Sequence, residues 1–357
     1  MPFSHDTPSL PRYMRAVLLR GHGDFHMLSV RDDVPVPRPA RGEVLIQVTA
    51  AAVNNTDIAV RTGWYSGSVQ RGAEPAAALW TGSGMAFPRI QGADACGYIV
   101  ATGEGVDPAR VGERVLVEPI FRYRLPDGGE QFDYFGSECD GAFAEYTLAP
   151  SVHAHRVRSM LTDAQLACFP CAWSAAENMI QRARVSAGDR VLVTAASGGV
   201  GSAALQLARR RGAEVIAVAS YAKAPELAAL GFEQVIYRES DPLKVLGPDS
   251  LDVVIDSAGG PAMKSILQCL TRGGRYAVAG AIAGAEVGID LRTVYLKDLS
   301  ILGCTVFSGG LFADLVGYIE RGELRPLLAA EYPLEDIVAA QRAFLRKAHI
   351  GKIVLSV

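Results

Sequence analysis

Residues 191–201 read VLVTAASGGVG: an apolar β-run breaks into small residues and then opens the helical pattern SAALQLARRRG. No other stretch limits the fold as strongly. A buried strand that turns straight into a helix through residues without bulk belongs to a sheet of parallel strands joined by helices. The chain then repeats the alternation. EVIAVAS and QVIYRES flank the helix pattern KAPELAALG, and LDVVIDSAGG and RYAVAGAIAG flank AMKSILQCLTRGG. These strands are near-continuous apolar runs, which marks burial on both faces. The expectation is an α/β fold with a doubly wound parallel sheet.

Small residues at such a turn let a pyrophosphate approach the backbone. The helix start offers free N–H groups and the positive end of the helix dipole. Ser197, Gly198, Gly199, Val200 and Gly201 are the expected cradle, with Gly198 allowing the tight turn and Gly201 letting the helix pack close to the sheet. Ala196 stands where a G-x-G-x-x-G pattern has its first glycine, so the strand–helix context carries the reading more than the motif does. An ordinary βα turn in a non-binding sheet is the plain alternative. The next strand ends in Ser220, Tyr221 and Lys223, with no acid. An acid there holds a ribose 2′-hydroxyl and repels a 2′-phosphate; a hydroxyl and a cation favour the phosphate, and so NADPH. A solvated first-turn lysine is the competing account of Lys223.

The chain before residue 156 has a different texture. MRAVLLR, EVLIQVTAAAV and GYIVATG are short β-runs separated by Gly, Pro and charged clusters. TDAQLACFPCAWSAAENMIQRA turns helical, with Thr162-Asp163 as its start. The closing strand GKIVLSV needs a sheet to pair with, and the β-rich first half is the host. Two domains follow, as the length of 357 residues suggests. A discontinuous β-rich domain takes 1–156 and 319–357; a nucleotide domain takes 157–318. The net charge of -3, with no basic run, gives no sign of a nucleic-acid partner. No apolar run reaches membrane-spanning length, and MPFSHDTPSLPRYMR lacks the apolar core of a signal peptide. With six scattered cysteines, a reducing and cytoplasmic setting is expected. Cys168 and Cys171 form one C-x-x-C in an apolar helix entry, where core packing is the stronger reading. His153 and His155 alternate in a strand-like segment and read as structural.

AAVNNTDIAVRTGWY, residues 51–65, has the look of an active-site rim without thiol or imidazole. Asn54 can donate two N–H bonds. Either asparagine can cap a helix, and Asn55 fits that role better, leaving Asn54 freer for substrate or nicotinamide. Asp57 reads as structural, with Arg61 as its surface partner. Asp94 is expected to hydrogen-bond within a core turn. Trp64 and Trp173 are candidate pocket walls, although core packing is at least as strong a reading of Trp173.

Taken together, these stretches resemble the medium-chain dehydrogenase/reductase superfamily. GEVLIQVTAAAVNNTD, GADACGYIVATGEGV, VGERVLV, GAFAEY, VLVTAASGGVGSAALQLA, LDVVIDSAGG, GGRYAVAG and GKIVLSV carry the likeness from about Met14 onward. It implies a GroES-like β-rich catalytic domain and a Rossmann nucleotide-binding domain, with Ala279 and Gly280 of GGRYAVAG among the cofactor contacts. Zinc-using members carry Cys-His-x-Asp and Gly-His-Glu, where this chain has Asn54-Asn55-Thr56-Asp57 and Gly92-Ala93-Asp94; only Cys171 matches a ligand thiol. The structural zinc lobe's four cysteines reduce here to Cys139. The pattern is similar to the zinc-free quinone oxidoreductase and enoyl reductase branch, whose members carry Val-Asn-x-x-Asp; in its enoyl-thioester reductases a tyrosine follows that motif, as Tyr65 does here. The resemblance thus implies a metal-independent, NADPH-dependent reductase of enones, quinones or enoyl thioesters, with Tyr65 and Asn54 in the catalytic roles. A small-molecule substrate would lie in a cleft between the domains. A zinc-free carbonyl reductase and a cofactor-binding sensor with little catalysis are the rivals. The stretch 66–90 is longer than usual and, with Trp80, forms either a lid beside Asn55 and Tyr65 or a plain surface loop. A homodimer joined near SILGCTVF is expected by resemblance.

Overall fold

The computed structural model describes residues 10–66, 85–125 and 127–357. The parallel sheet forms as the alternation requires. Its six strands lie in the order Val235–Tyr237, Glu214–Ala219, Arg190–Val193, Leu251–Asp256, Leu270–Val278, Ser300–Gly303, all parallel. Building proceeds outward in one direction from Arg190–Val193, then reverses through Leu251–Asp256, which leaves a crevice at the carboxyl ends of those two strands. Because side chains alternate across a strand, Val191 and Val193 enter one hydrophobic cluster with the helices Pro170–Arg182, Gly199–Arg210 and Leu311–Glu320. Leu192 enters another with Ile266 and Leu267 of the helix Met263–Cys269. Both faces are therefore covered.

One element departs from the sequence reading. The helix expected over AMKSILQCLTRGG ends at Cys269, and Leu270 already opens the strand Leu270–Val278. Leu270 is fully buried opposite Leu251, and Gly273 takes φ +78, which no helix continues through.

The β-rich unit centres on the long strand Glu43–Ala52. Its sheet runs Ala154–Arg156, Arg114–Val117, Cys96–Thr102, Glu43–Ala52, Lys352–Ser356, Leu328–Pro333, with Tyr146–Pro150 also paired to Glu43–Ala52. The terminal strand thus finds its partner in the first half of the chain, antiparallel, with Val354 opposite Ala52 and Ser356 opposite Ala50. This return brings residues 347–352 beside the end of Glu43–Ala52, where the helix Asn55–Thr62 begins. Among the described residues, no helix is long and apolar enough to cross a membrane.

Candidate active site

The turn after Arg190–Val193 has room for little besides backbone. A Cβ on Gly201 would lie 2.3 Å from the Ala195 carbonyl oxygen, so the helix Gly199–Arg210 packs on the turn only with glycine there. Gly198 is the helix N-cap and contributes no side-chain cap, which leaves the first N–H groups to a ligand. Gly280 is pinned in the same way: a Cβ would lie 2.3 Å from the Ser257 oxygen. Ser257 and Ala279 follow the strands Leu251–Asp256 and Leu270–Val278, on the carboxyl edge that also holds the glycine turn. Asp256 ties this edge together. Its carboxylate accepts from Thr194 Oγ1 at 2.5 Å, from the backbone of Ala258 and Gly259 at 2.8 and 2.9 Å, and from the Tyr276 hydroxyl.

Basic side chains collect beside the turn. Lys223 Nζ donates to the His349 carbonyl at 2.6 Å and to Ser197 Oγ at 3.3 Å. Lys347, exposed overall, lays its ammonium 3.5 Å from the Phe344 ring centroid and donates to Asn55 Oδ1 at 2.9 Å. Burial of that ammonium, with Lys223 and Lys352 nearby, pulls it down to about 8. His349 is pulled down to about 4 by burial and the same lysines. Burial and Arg238 also lower Lys223. Burial leads each shift, and the neighbouring cations add to it; that added part is positive potential that favours an anion. Tyr221 packs edge-to-face on Tyr237, with centroids 5.2 Å apart, at the ends of the neighbouring strands.

Next to the turn lies a buried polar cluster. Lys352, 3% exposed, places Nζ 2.5 Å from Asn54 Oδ1, 2.8 Å from Asp94 Oδ2 and 3.2 Å from the Val53 oxygen. Asn54 Nδ2 donates to Asp94 Oδ2 at 2.8 Å and to the Ala52 oxygen at 3.2 Å. Cys171 N donates to Asp94 Oδ1 at 2.6 Å. The Cys171 thiol, pushed up to about 12 by burial, meets the Tyr134 hydroxyl at 3.0 Å. Burial alone would lower the Lys352 ammonium, but Asp94 and Cys171 outweigh it and hold it above its ordinary value. Tyr65 sits in a single turn, Trp64–Ser66, behind Gly63 at φ +72. Burial raises its phenol, and the neighbouring Cys171 and Asp57 add to the rise. Burial raises Tyr134 as well, with Cys171 the next cause and Tyr65 among its neighbours. Both phenols therefore keep their protons.

Two family models match this chain: the alcohol dehydrogenase GroES-like domain over residues 40–159 and the zinc-binding dehydrogenase domain over 199–321. The crystal structure of a Sinorhizobium meliloti protein named for alcohol dehydrogenase is 46% identical, covers 98% of each chain and superposes with a TM-score of 0.90. The chain is a medium-chain dehydrogenase/reductase. Human quinone oxidoreductase is 29% identical over 96% of this chain and 98% of its own. Acryloyl-coenzyme A reductase of Metallosphaera sedula is 29% identical over 96% of this chain and 100% of its own. These relatives place the dehydrogenase/reductase in the quinone oxidoreductase and enoyl reductase-like branch and make it an oxidoreductase of a family that binds nicotinamide cofactors.

The geometry fits such a dinucleotide: a helix start with no side-chain cap, no Cβ at Gly198, Gly199 and Gly201, and unbalanced cations beside it. It does not fit a catalytic zinc. At the three matched ligand positions, Asn54 faces Lys352 and Asp94, Ala93 has no ligand atom, and the Cys171 thiol faces Tyr134. The Lys352 ammonium already lies on Asn54 and Asp94, and a second cation beside it would be repelled.

Several residues sit differently from the sequence expectation. Asn54, not Asn55, is the helix N-cap, and Asp57 Oδ2 accepts from its backbone N–H at 2.7 Å. Both side-chain N–H groups of Asn54 are engaged within the protein, so direct donation from Asn54 to a substrate gives way to a holding role. Asn55 faces Lys347 on the cofactor side. Arg61 is 2% exposed and bonds Gln341 and the Gly23 oxygen, with Asp24 as its acidic partner instead of Asp57. Trp173 is 2% exposed and packs on Phe169, which makes it core and no pocket wall. Trp64 is exposed. Asp94 is an ion-pair partner, a role richer than a turn hydrogen bond. His153 Nδ1 and His155 Nε2 meet one Glu118 oxygen at 3.0 and 3.1 Å. Trp80 and most of the stretch 66–90 lie outside the described residues. Tyr134, Lys347 and Lys352 were not singled out from sequence.

Proposed function

We propose that this protein is an NADPH-dependent, metal-independent reductase of activated carbon–carbon double bonds: enones, quinones or enoyl thioesters. The observation that carries the reading is the Lys352–Asp94–Asn54 cluster with two protonated phenols beside it. Hydride addition to a saturated carbonyl concentrates charge on one oxygen, which metal sites stabilise as Lewis acids. Conjugate addition spreads the charge into an enolate, which neutral donors suffice to stabilise. Ser197, Gly198, Gly199 and Gly201 would hold NADPH at the turn, and its chemistry there would be hydride donation toward the β-carbon. Tyr65 holds the proton destined for the enolate, either from its own hydroxyl or through a water it orients. Tyr134 and Cys171 form the adjoining wall. Lys223 and Lys347 draw the 2′-phosphate, which supports NADPH over NADH.

The strand Ser300–Gly303 is the outer edge of the parallel sheet, with Ile301 exposed, and supports pairing with a second copy of the chain. Light scattering on the purified protein tests that assembly. The activity is tested by NADPH oxidation with a panel of enones, quinones, enoyl thioesters and saturated ketones, with and without a chelator. Faster turnover of the conjugated acceptors, unaffected by chelation, is expected. Preference for saturated ketones points to a carbonyl reductase. Tight binding of NADPH without turnover points to a sensor.

A further inference from the structure

We propose that Lys352 is the positioning residue of this site: its buried ammonium is a built-in cation that fixes Asn54 and the start of the Tyr65-bearing segment. The proposal rests on the reductase reading above. Its basis is the sheet register. Val354 lies opposite Ala52 in the antiparallel pair, and the pairing extends one step to Val53, whose N–H donates to the Ile353 oxygen at 2.9 Å. The next step sets Lys352 level with Asn54. The ammonium then meets three acceptors, Val53 O, Asn54 Oδ1 and Asp94 Oδ2, and a lysine has three N–H donors. No donor is left over for a substrate. The role is to hold, and what it holds is the N-cap of the helix Asn55–Thr62, which leads through Gly63 to Tyr65.

The same side chain reaches the cofactor turn. A Cβ on Gly199 would lie 2.7 Å from Lys352 Cδ, so the stem passes over the first residue of the phosphate-facing helix. One residue earlier, Gly351 N donates to the Ser197 oxygen at 2.9 Å. The cofactor turn and the Tyr65 segment therefore share one rigid support. An apolar side chain could fill this volume, and buried ion pairs are often replaced by apolar packing without loss of stability. It could not orient three acceptors. The ammonium does here what a metal ion does for its ligands: it fixes polar groups from separate elements in one arrangement.

Lys352→Ala removes Cγ through Nζ, the shape of propylammonium. The expected result is a roughly hundredfold loss of kcat, as follows from a small misplacement of reacting groups, with NADPH affinity, read by nicotinamide fluorescence, within about threefold of wild type. Propylammonium chloride restores kcat in a saturable way, whereas 1-propanol does not. Lys352→Arg retains more activity than Lys352→Met, which keeps the stem without the charge; thermal melts show which variants fold. Wild-type kcat in Lys352→Met overturns the proposal, as does equal rescue by propanol or a loss of NADPH affinity as large as the loss of kcat. If the wild-type protein oxidises NADPH with no acceptor in the panel, the reductase reading fails, and the lysine is judged without turnover. Amide exchange over residues 55–65 then becomes faster in Lys352→Met and slows again when propylammonium is added to Lys352→Ala. Unchanged exchange overturns the proposal.

Discussion

If Lys347 greets the 2′-phosphate, affinity for NADPH must fall with rising pH while affinity for NADH stays level. The Lys347 ammonium titrates at about 8 in the free protein because burial and two neighbouring lysines disfavour its charge. The sign follows from linkage: a phosphate beside the ammonium favours the charged form, so the bound-state pKa lies above the free-state value and binding takes up a proton between the two. A charge-assisted hydrogen bond is worth about 2 kcal/mol, which is roughly 1.5 pH units. The dissociation constant for NADPH should then rise about twentyfold from pH 7 to pH 10, on the way to a limit of about thirtyfold. The cofactor's own phosphate, with a second pKa near 6, is about nine-tenths ionised at pH 7 and adds little slope above it. Nicotinamide fluorescence titrations at half-unit steps measure both cofactors, and Lys347→Met should flatten the NADPH curve at its weak, high-pH limit. Parallel pH profiles for NADPH and NADH in the wild-type protein would refute the assignment of Lys347 to the phosphate.

Other perturbations read other parts of the site. Tyr65→Phe should lower kcat by about 10²-fold or more, the usual contribution of a positioned acid, with NADPH affinity unchanged; kcat within a factor of two would reduce Tyr65 to a wall. Gly201→Ala, whose Cβ meets the Ala195 carbonyl at 2.3 Å, should cost about 1–3 kcal/mol of stability and abolish cofactor binding, as thermal melts with and without NADPH will show. Asp57 is raised to about 7 by burial, against the pull of Asn54 N–H and Lys352. A raised carboxyl gives stability that is full below the unfolded value near 4 and lost as pH climbs through 7. Asp57→Asn should therefore gain on wild type between pH 4 and 8, by at most about 4 kcal/mol, in denaturant titrations at both ends.

Most of the nucleotide half was legible because its information is local. Val191–Val193 turns into Gly199–Arg210 within six residues, and the alternation of Val191, Leu192 and Val193 between two cores is written in their shared apolar character. The end of the helix at Cys269 was less visible, since MKSILQCL keeps helical spacing; burial of Leu270 in the sheet decides it, and burial is a tertiary fact. The asparagines were read for what they could donate, but the sequence does not say to whom. Asn54 Nδ2 turns to Asp94, forty residues on, and its oxygen to Lys352, nearly three hundred residues on.

Lys352 is the residue the sequence hides best. A lysine opening a terminal strand ordinarily guards an exposed edge against further pairing. Here the strand is interior, flanked by Glu43–Ala52 and Leu328–Pro333, and a charge at its start must be buried. The register then decides what the charge can do. Because alternate residues face opposite sides of a sheet, a slip of one residue would turn the ammonium away from Asn54 and Asp94 and strand it in the core. The ion pair thus selects one register for the terminal strand. That register sets Gly351 against Ser197 and the lysine stem against Gly199. The side chain that replaces a metal in the polar cluster is also the one that aligns the cofactor turn with it.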